Sequence, residues 1–166
     1  MGQAQGAIDA ARAAGADRYA AAEFTAAVEA LKLSEQAVTA GDYRLALDNA
    51  LTSGRRAQNA AREAAAAQAR LHGEAERAMA EITVTLAEVN ARFQEAERAL
   101  VPARVLQEQR AALAAINGDV QKAREAVKAG DYLAAKPLLD GVKPRASQLL
   151  ADIDSRATSQ SLRRRR

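Results

Sequence analysis

The chain has 166 residues, 45 of them alanine, with 24 Lys and Arg against 21 Asp and Glu, three prolines, and neither cysteine nor tryptophan. Disulfides, thiol chemistry and cysteine-based zinc sites are thereby excluded, and no apolar run approaches the roughly 20 residues of a membrane-spanning helix. Arg163–Arg166 carry four of the positive charges, so the remaining body is near neutral, with both signs mixed, unlike the broad basic field of a nucleic-acid-binding protein.

Alanine leads the helix formers, and Glu, Gln, Lys, Arg and Leu follow closely, so the fold class is all-α. Large apolar side chains are scarce. Alanine lets helices approach toward the short end of the usual range of about 8–10 Å, which predicts thin helical layers rather than a thick core.

The opening "MGQAQGAIDAARAAG" has no basic n-region and no apolar h-region, so it does not read as a signal peptide. It predicts a short helix over about Gln5–Ala14. "AGADRYAAA" (Ala14–Ala22) reads as a turn capped by Asp17, and the first main helix follows over about Asp17–Ala40.

"AVTAGDY" (Ala37–Tyr43) recurs as "AVKAGDY" (Ala126–Tyr132), 89 residues later. Gly41 and Gly130 stand where a helix ends in a left-handed residue. Asp42 and Asp131 follow as N-caps of the next helix, which Tyr43 and Tyr132 open. Two copies predict two antiparallel helical hairpins, with Tyr19, Tyr43 and Tyr132 packed against neighbouring helices.

The second helix starts at Asp42. Steps of four and three back from Ile82 meet Ala78, Ala75, Leu71, Gln68, Ala64, Ala61, Ala57, Gly54, Ala50, Leu47 and Tyr43. Forward steps meet Leu86, Val89, Phe93, Ala96 and Leu100. This is a heptad-like seam with one stutter, alanine-rich in its first half and bulky in its second. It predicts one helix from Asp42 to Leu100, roughly 88 Å long at 1.5 Å per residue. The alternative is a break at Gly73, giving a compact five-helix up-and-down bundle. A third helix is expected over Pro102–Ala129, with Pro102 in its first turn. A fourth is expected over Asp131–Ala157, irregular at Gly141–Pro144. The domain reading is an N-terminal hairpin (1–70), a bundle sharing the long helix (71–158) and a basic tail (159–166), making an elongated helical bundle.

Candidates for chemistry are few. His72, the lone histidine, pairs at i, i+4 with Glu76 and lacks the further ligands that zinc needs; it reads as a surface or helix-break residue. Glu74, Glu76, Glu81, Glu95 and Glu97 mostly alternate with arginines, as in ordinary surface pairs along a helix. No glycine-rich phosphate loop or nucleophile elbow occurs. No catalytic residue, cofactor, metal ligand or small-molecule substrate is therefore assigned. Arg163, Arg164, Arg165 and Arg166 are the candidate contact to an anionic surface such as a membrane.

The stretch Ala10–Ala67 resembles the bacterial domain-of-unknown-function family 4398. The resemblance rests on Gly15, Tyr19, Ala22, Glu23, Gly41, Asp42, Tyr43 and Ala46, with Ala21 where that family carries proline. It implies a non-catalytic, lipoprotein-like scaffold of the cell envelope, periplasmic or outer-membrane associated; a cytoplasmic location is the alternative. The expected partner is a protein, either a second copy or another envelope component, docked on the alanine-lined face of the second helix. The G-D-Y-x-x-A steps also resemble tetratricopeptide turns, which would imply a peptide-binding adaptor instead. A tether held by the arginine tail is a third reading.

Overall fold

The computed structural model describes residues 2–164, with side chains described through residue 159. The described residues form six α-helices and no strand: α1 (Gly2–Ala13), α2 (Ala16–Tyr19), α3 (Ala21–Thr39), α4 (Tyr43–Arg98), α5 (Gln107–Lys128) and α6 (Tyr132–Arg164). A 3-10 turn, Ala103–Leu106, precedes α5. The chain divides into two compact units, Met1–Arg70 and Leu71–Arg166. One uninterrupted 56-residue helix, α4, supplies its first part to one unit and its second to the other. Gly73 therefore does not break it, and the five-helix alternative is discarded.

In the first unit, α1 buries Ala4, Ile8 and Ala11 at four- and three-residue spacing. The helix expected over Asp17–Ala40 is in fact two. Ala20 leaves the helical region (φ −142°) between α2 and α3, and the bend lets Ala16 and Ala20 both turn inward. Asp17 is not the cap of this turn. Gly15 holds that position at φ 77°, with no side-chain cap, and the Gln68 side-chain amide donates to the Ala14 carbonyl at 2.9 Å. The left-handed backbone disfavours a side chain at Gly15, and a Cβ there would lie 2.9 Å from that same nitrogen and oblige Gln68 to shift.

The buried cluster of this unit is almost wholly alanine, Ile8 and Leu31 excepted. Between α3 and α4 the helices approach closely enough for two buried serines to cross-link them. Ser34 Oγ donates to the Ala46 carbonyl at 2.7 Å, and Ser53 Oγ to the Ala27 carbonyl at 2.8 Å. Each helix thus offers one hydroxyl and, seven residues away, one carbonyl.

The long seam holds in the second half of α4 and shifts in the first. Leu71, Ala75, Ile82, Val89, Phe93 and Ala96 are buried. Upstream, the buried residues are Ala46, Ser53, Ala57, Ala60 and Ala64, whereas Tyr43 and Leu47 face solvent. The physical reason is distance: where backbones approach this closely only small side chains fit between them, and the leucines move outward. The second unit has a conventional core of Ile82, Val89, Phe93, Leu106, Ile116, Val120, Leu139, Val142, Leu149 and Ile153.

Two details of this unit differ from expectation. Pro102 is extended (φ −59°, ψ 136°), not helical. Leu100 ends α4 in the left-handed region at φ 55°, and Val101 N–H returns to the Ala96 carbonyl at 3.0 Å; reversal then needs an extended residue before the 3-10 turn. In α6, helix continues through Gly141–Pro144 despite Pro137 and Pro144. Both prolines are exposed, so water can serve the carbonyls they leave without a donor.

Candidate interaction surface

The two G-D-Y corners are the same structure. At the first, Gly41 (φ 79°) donates to the Val38 carbonyl at 3.0 Å and Asp42 to the Ala37 carbonyl at 2.9 Å. At the second, Gly130 (φ 73°) donates to Val127 at 3.0 Å and Asp131 to Ala126 at 2.9 Å. This crossed pair is the Schellman closure of a helix C-terminus. The carboxylates then cap the next helix: Asp42 Oδ1 accepts from Leu45 N–H at 3.0 Å, and Asp131 Oδ1 from Ala134 N–H at 3.2 Å. These six residues, Gly41, Asp42, Tyr43, Gly130, Asp131 and Tyr132, act as corners.

The repeat extends beyond the corners. At the same 89-residue offset, buried Ala46 matches Ala135, Ala57 matches Ala146, Leu31 matches Val120, Ala60 matches Leu149 and Ala64 matches Ile153. The serines that bind α3 to α4 correspond to Ala123 and Val142, both fully buried.

On the outer positions the copies diverge. In the second unit Tyr132 packs its ring 5.2 Å from His72, Lys136 Nζ lies 3.4 Å from Glu74, and Lys143 pairs with Glu81. Sequence separations stay at 62 along these contacts, so α6 runs parallel to the second part of α4 and is covered by it from the corner onward. In the first unit the matching residues are Tyr43, Leu47 and Gly54. Tyr43 is 72 % exposed, Leu47 62 % and, one turn on, Leu51 57 %. Leu33 and Leu45 of the same hairpin are about half exposed, at 52 % and 49 %. Most of the exposed large apolar residues among those described fall within residues 28–51.

This corrects two expectations. Tyr43 does not pack against a neighbour as Tyr132 does. The alanine face of α4 is not free either: α1, α2 and α3 bury Ala57, Ala60 and Ala64, and the available apolar surface is leucine on the outer side.

Of the glutamates singled out in the sequence, several are engaged in ion pairs across helices rather than along one. Glu74 reaches Lys136, Glu81 reaches Lys143, and Glu97 reaches Arg110. Glu95 pairs within α4 with Arg92 at 2.8 Å. Lys143 lowers the Glu81 carboxyl pKa, first by its hydrogen bond and then by its charge. Arg145 and Lys122 lower that of Asp119, chiefly by hydrogen bonding. His72 lies within α4 rather than at a break; its Nε2 sits 3.3 Å from Glu76 and its Nδ1 is buried without a hydrogen-bond partner. Among the described residues no three His, Cys, Asp or Glu side chains gather as metal ligands would, and no helix is long and apolar enough to cross a membrane. Of the arginine tail, α6 reaches Arg164, while the side chains of Arg163–Arg166 lie outside the described residues.

The serine pair and the displaced leucines escaped the sequence pattern. Their signal is Ala27/Ser34 and Ala46/Ser53, small residues seven apart on both arms of one hairpin. Comparison with protein-family models, with curated proteins and with solved structures found no match to this chain.

Proposed function

We propose that this protein is a non-catalytic helical scaffold that works by helix-to-helix contact with a protein partner. The observation that carries the reading is the row Tyr43, Leu47 and Leu51, one turn apart on α4 and all more than half exposed. An exposed apolar row of this kind on a folded chain marks an interaction site. The serine-bridged alanine core holds that hairpin closed and so presents the leucines on a rigid support. Placement in the bacterial envelope rests on the resemblance of Ala10–Ala67 described above.

A photoreactive residue installed at Leu47 in the native host tests this. Ultraviolet irradiation is expected to give a discrete covalent adduct with a protein, whether the same chain or another, and the same label at Arg124 of α5 is expected to give none. If position 47 yields only uncoupled chain under conditions where the label reacts, the scaffold reading is wrong.

A further inference from the structure

We propose that the occupant of the exposed stripe Tyr43–Leu47–Leu51 is a second copy of the same stripe, laid antiparallel with Leu47 on Leu47 at a two-fold axis. The inference rests on the scaffold reading and names its partner and geometry.

The internal repeat says what kind of object covers this face. The matching positions on α6 lie against a helix, the second part of α4, with Tyr132 on His72 and Lys136 on Glu74. There the covering helix presents glutamates to lysines. On α4 the lysine positions have become Leu47 and Gly54, and the position of Asp140 has become Leu51. The complement of this face is therefore a helix that is apolar where the α4 glutamates stand in the second unit.

This chain offers such a helix in the stripe itself. Residues 43, 47 and 51 recur at one-turn spacing, and all three are more than half exposed. Among the described residues, exposed large apolar side chains outside residues 28–51 are Val84, Leu100 and Leu133, which form no comparable row. A self-complementary patch used by both partners is the isologous arrangement of two-fold dimers.

Charge selects the direction. Arg44 and Asp48 flank the stripe one turn apart, and both are exposed. Both lie on the same flank of the stripe, and in a parallel two-fold pair the flanks of the two copies fall on opposite sides of the seam, so Arg44 and Asp48 would not meet their counterparts. An antiparallel partner centred on Leu47 sets each Arg44 beside the other copy's Asp48, twice, and brings Tyr43 onto Leu51. Opposite charges at the rim fix register and orientation more than they add affinity.

The absence of cysteine makes the geometry directly testable. Purified full-length protein in sedimentation velocity is expected to show a concentration-dependent dimer. Leu47→Glu with Leu51→Glu is expected to abolish it while leaving the urea midpoint unchanged at dilutions where the wild-type chain is monomeric, since both side chains are exposed in the single chain. Arg44→Asp and Asp48→Arg should each weaken the dimer severalfold, and the double swap should restore it. Under mild oxidation, a mixture of Tyr43→Cys and Leu51→Cys chains should form a disulfide-linked dimer faster than either variant alone. A wild-type chain that stays monomeric at high micromolar concentration overturns the inference, as does a dimer unmoved by the glutamates. Self-linking by Leu51→Cys alone, with no gain on mixing, overturns the antiparallel geometry. A monomer that still gives an adduct with a different protein at position 47 in cells refutes the second copy and leaves the scaffold standing.

Discussion

Leu100 is the residue whose backbone costs most for what its side chain returns. It takes φ 55° to end α4, yet its side chain is 71 % exposed. The left-handed conformation costs a side-chain-bearing residue roughly 1–2 kcal/mol, and the equivalent turns after α3 and α5 use glycine. Leu100→Gly is expected to stabilise the chain by up to about 1 kcal/mol, read as a higher urea midpoint. Ser53 shows the reverse situation. Its hydroxyl is fully buried between two close backbones and donates to the Ala27 carbonyl. Ser53→Ala should cost about 1 kcal/mol for the lost hydrogen bond. Ser53→Val, which copies the residue at the matching site of the second hairpin, should cost about 1–3 kcal/mol through overpacking. Equal urea midpoints for Ser53→Val and wild type would show that the two helices are not held at serine distance.

At the scale of elements, ion pairs tie α6 to its neighbours: Lys143 to Glu81 of α4, and Arg145 to Asp119 of α5. Both carboxyls are held below their ordinary values, 4.5 for Glu81 and 3.8 for Asp119. A carboxyl that is more acidic in the folded chain than in the unfolded one stabilises the fold above the unfolded value. That stabilisation fades as pH drops through the folded value. The stability of the second unit is therefore expected to fall on acidification starting near those ordinary values. Glu81→Gln should flatten the fall, and urea midpoints across the acid range measure it. Both groups are at the surface, so high salt should shrink the effect as well.

For the molecule as a whole, the two units differ in what fills them. One is packed with alanine around Ile8 and Leu31, and the other with isoleucine, valine, leucine and phenylalanine. Buried apolar area contributes about 25 cal/mol per Å², and alanine has little to bury. Amide hydrogen exchange on the intact chain should find slower exchange at Val89, Ile116 and Leu149 than at Ala11, Ala30 and Ala57. Equal protection would mean that the serine bridges and close backbone packing make up the difference.

Much of this architecture was legible in the residues themselves. Helix content followed from composition, and both corners from Gly-Asp-Tyr, because a left-handed residue next to a capping carboxylate is a local requirement that neighbours cannot override. The continuity of α4 through Gly73 followed from an apolar period that never slips there. What only the tertiary structure decided was which side of α4 faces inward between Tyr43 and Arg70. Sequence periodicity favours the larger residue as the buried one, and that rule holds where helices are spaced by leucine and isoleucine, as around Ile82 and Leu139. Between α3 and α4 the backbones come within reach of a serine hydroxyl, so size works in the opposite sense. Alanine and serine are enclosed, and Leu47 and Leu51 are left outside.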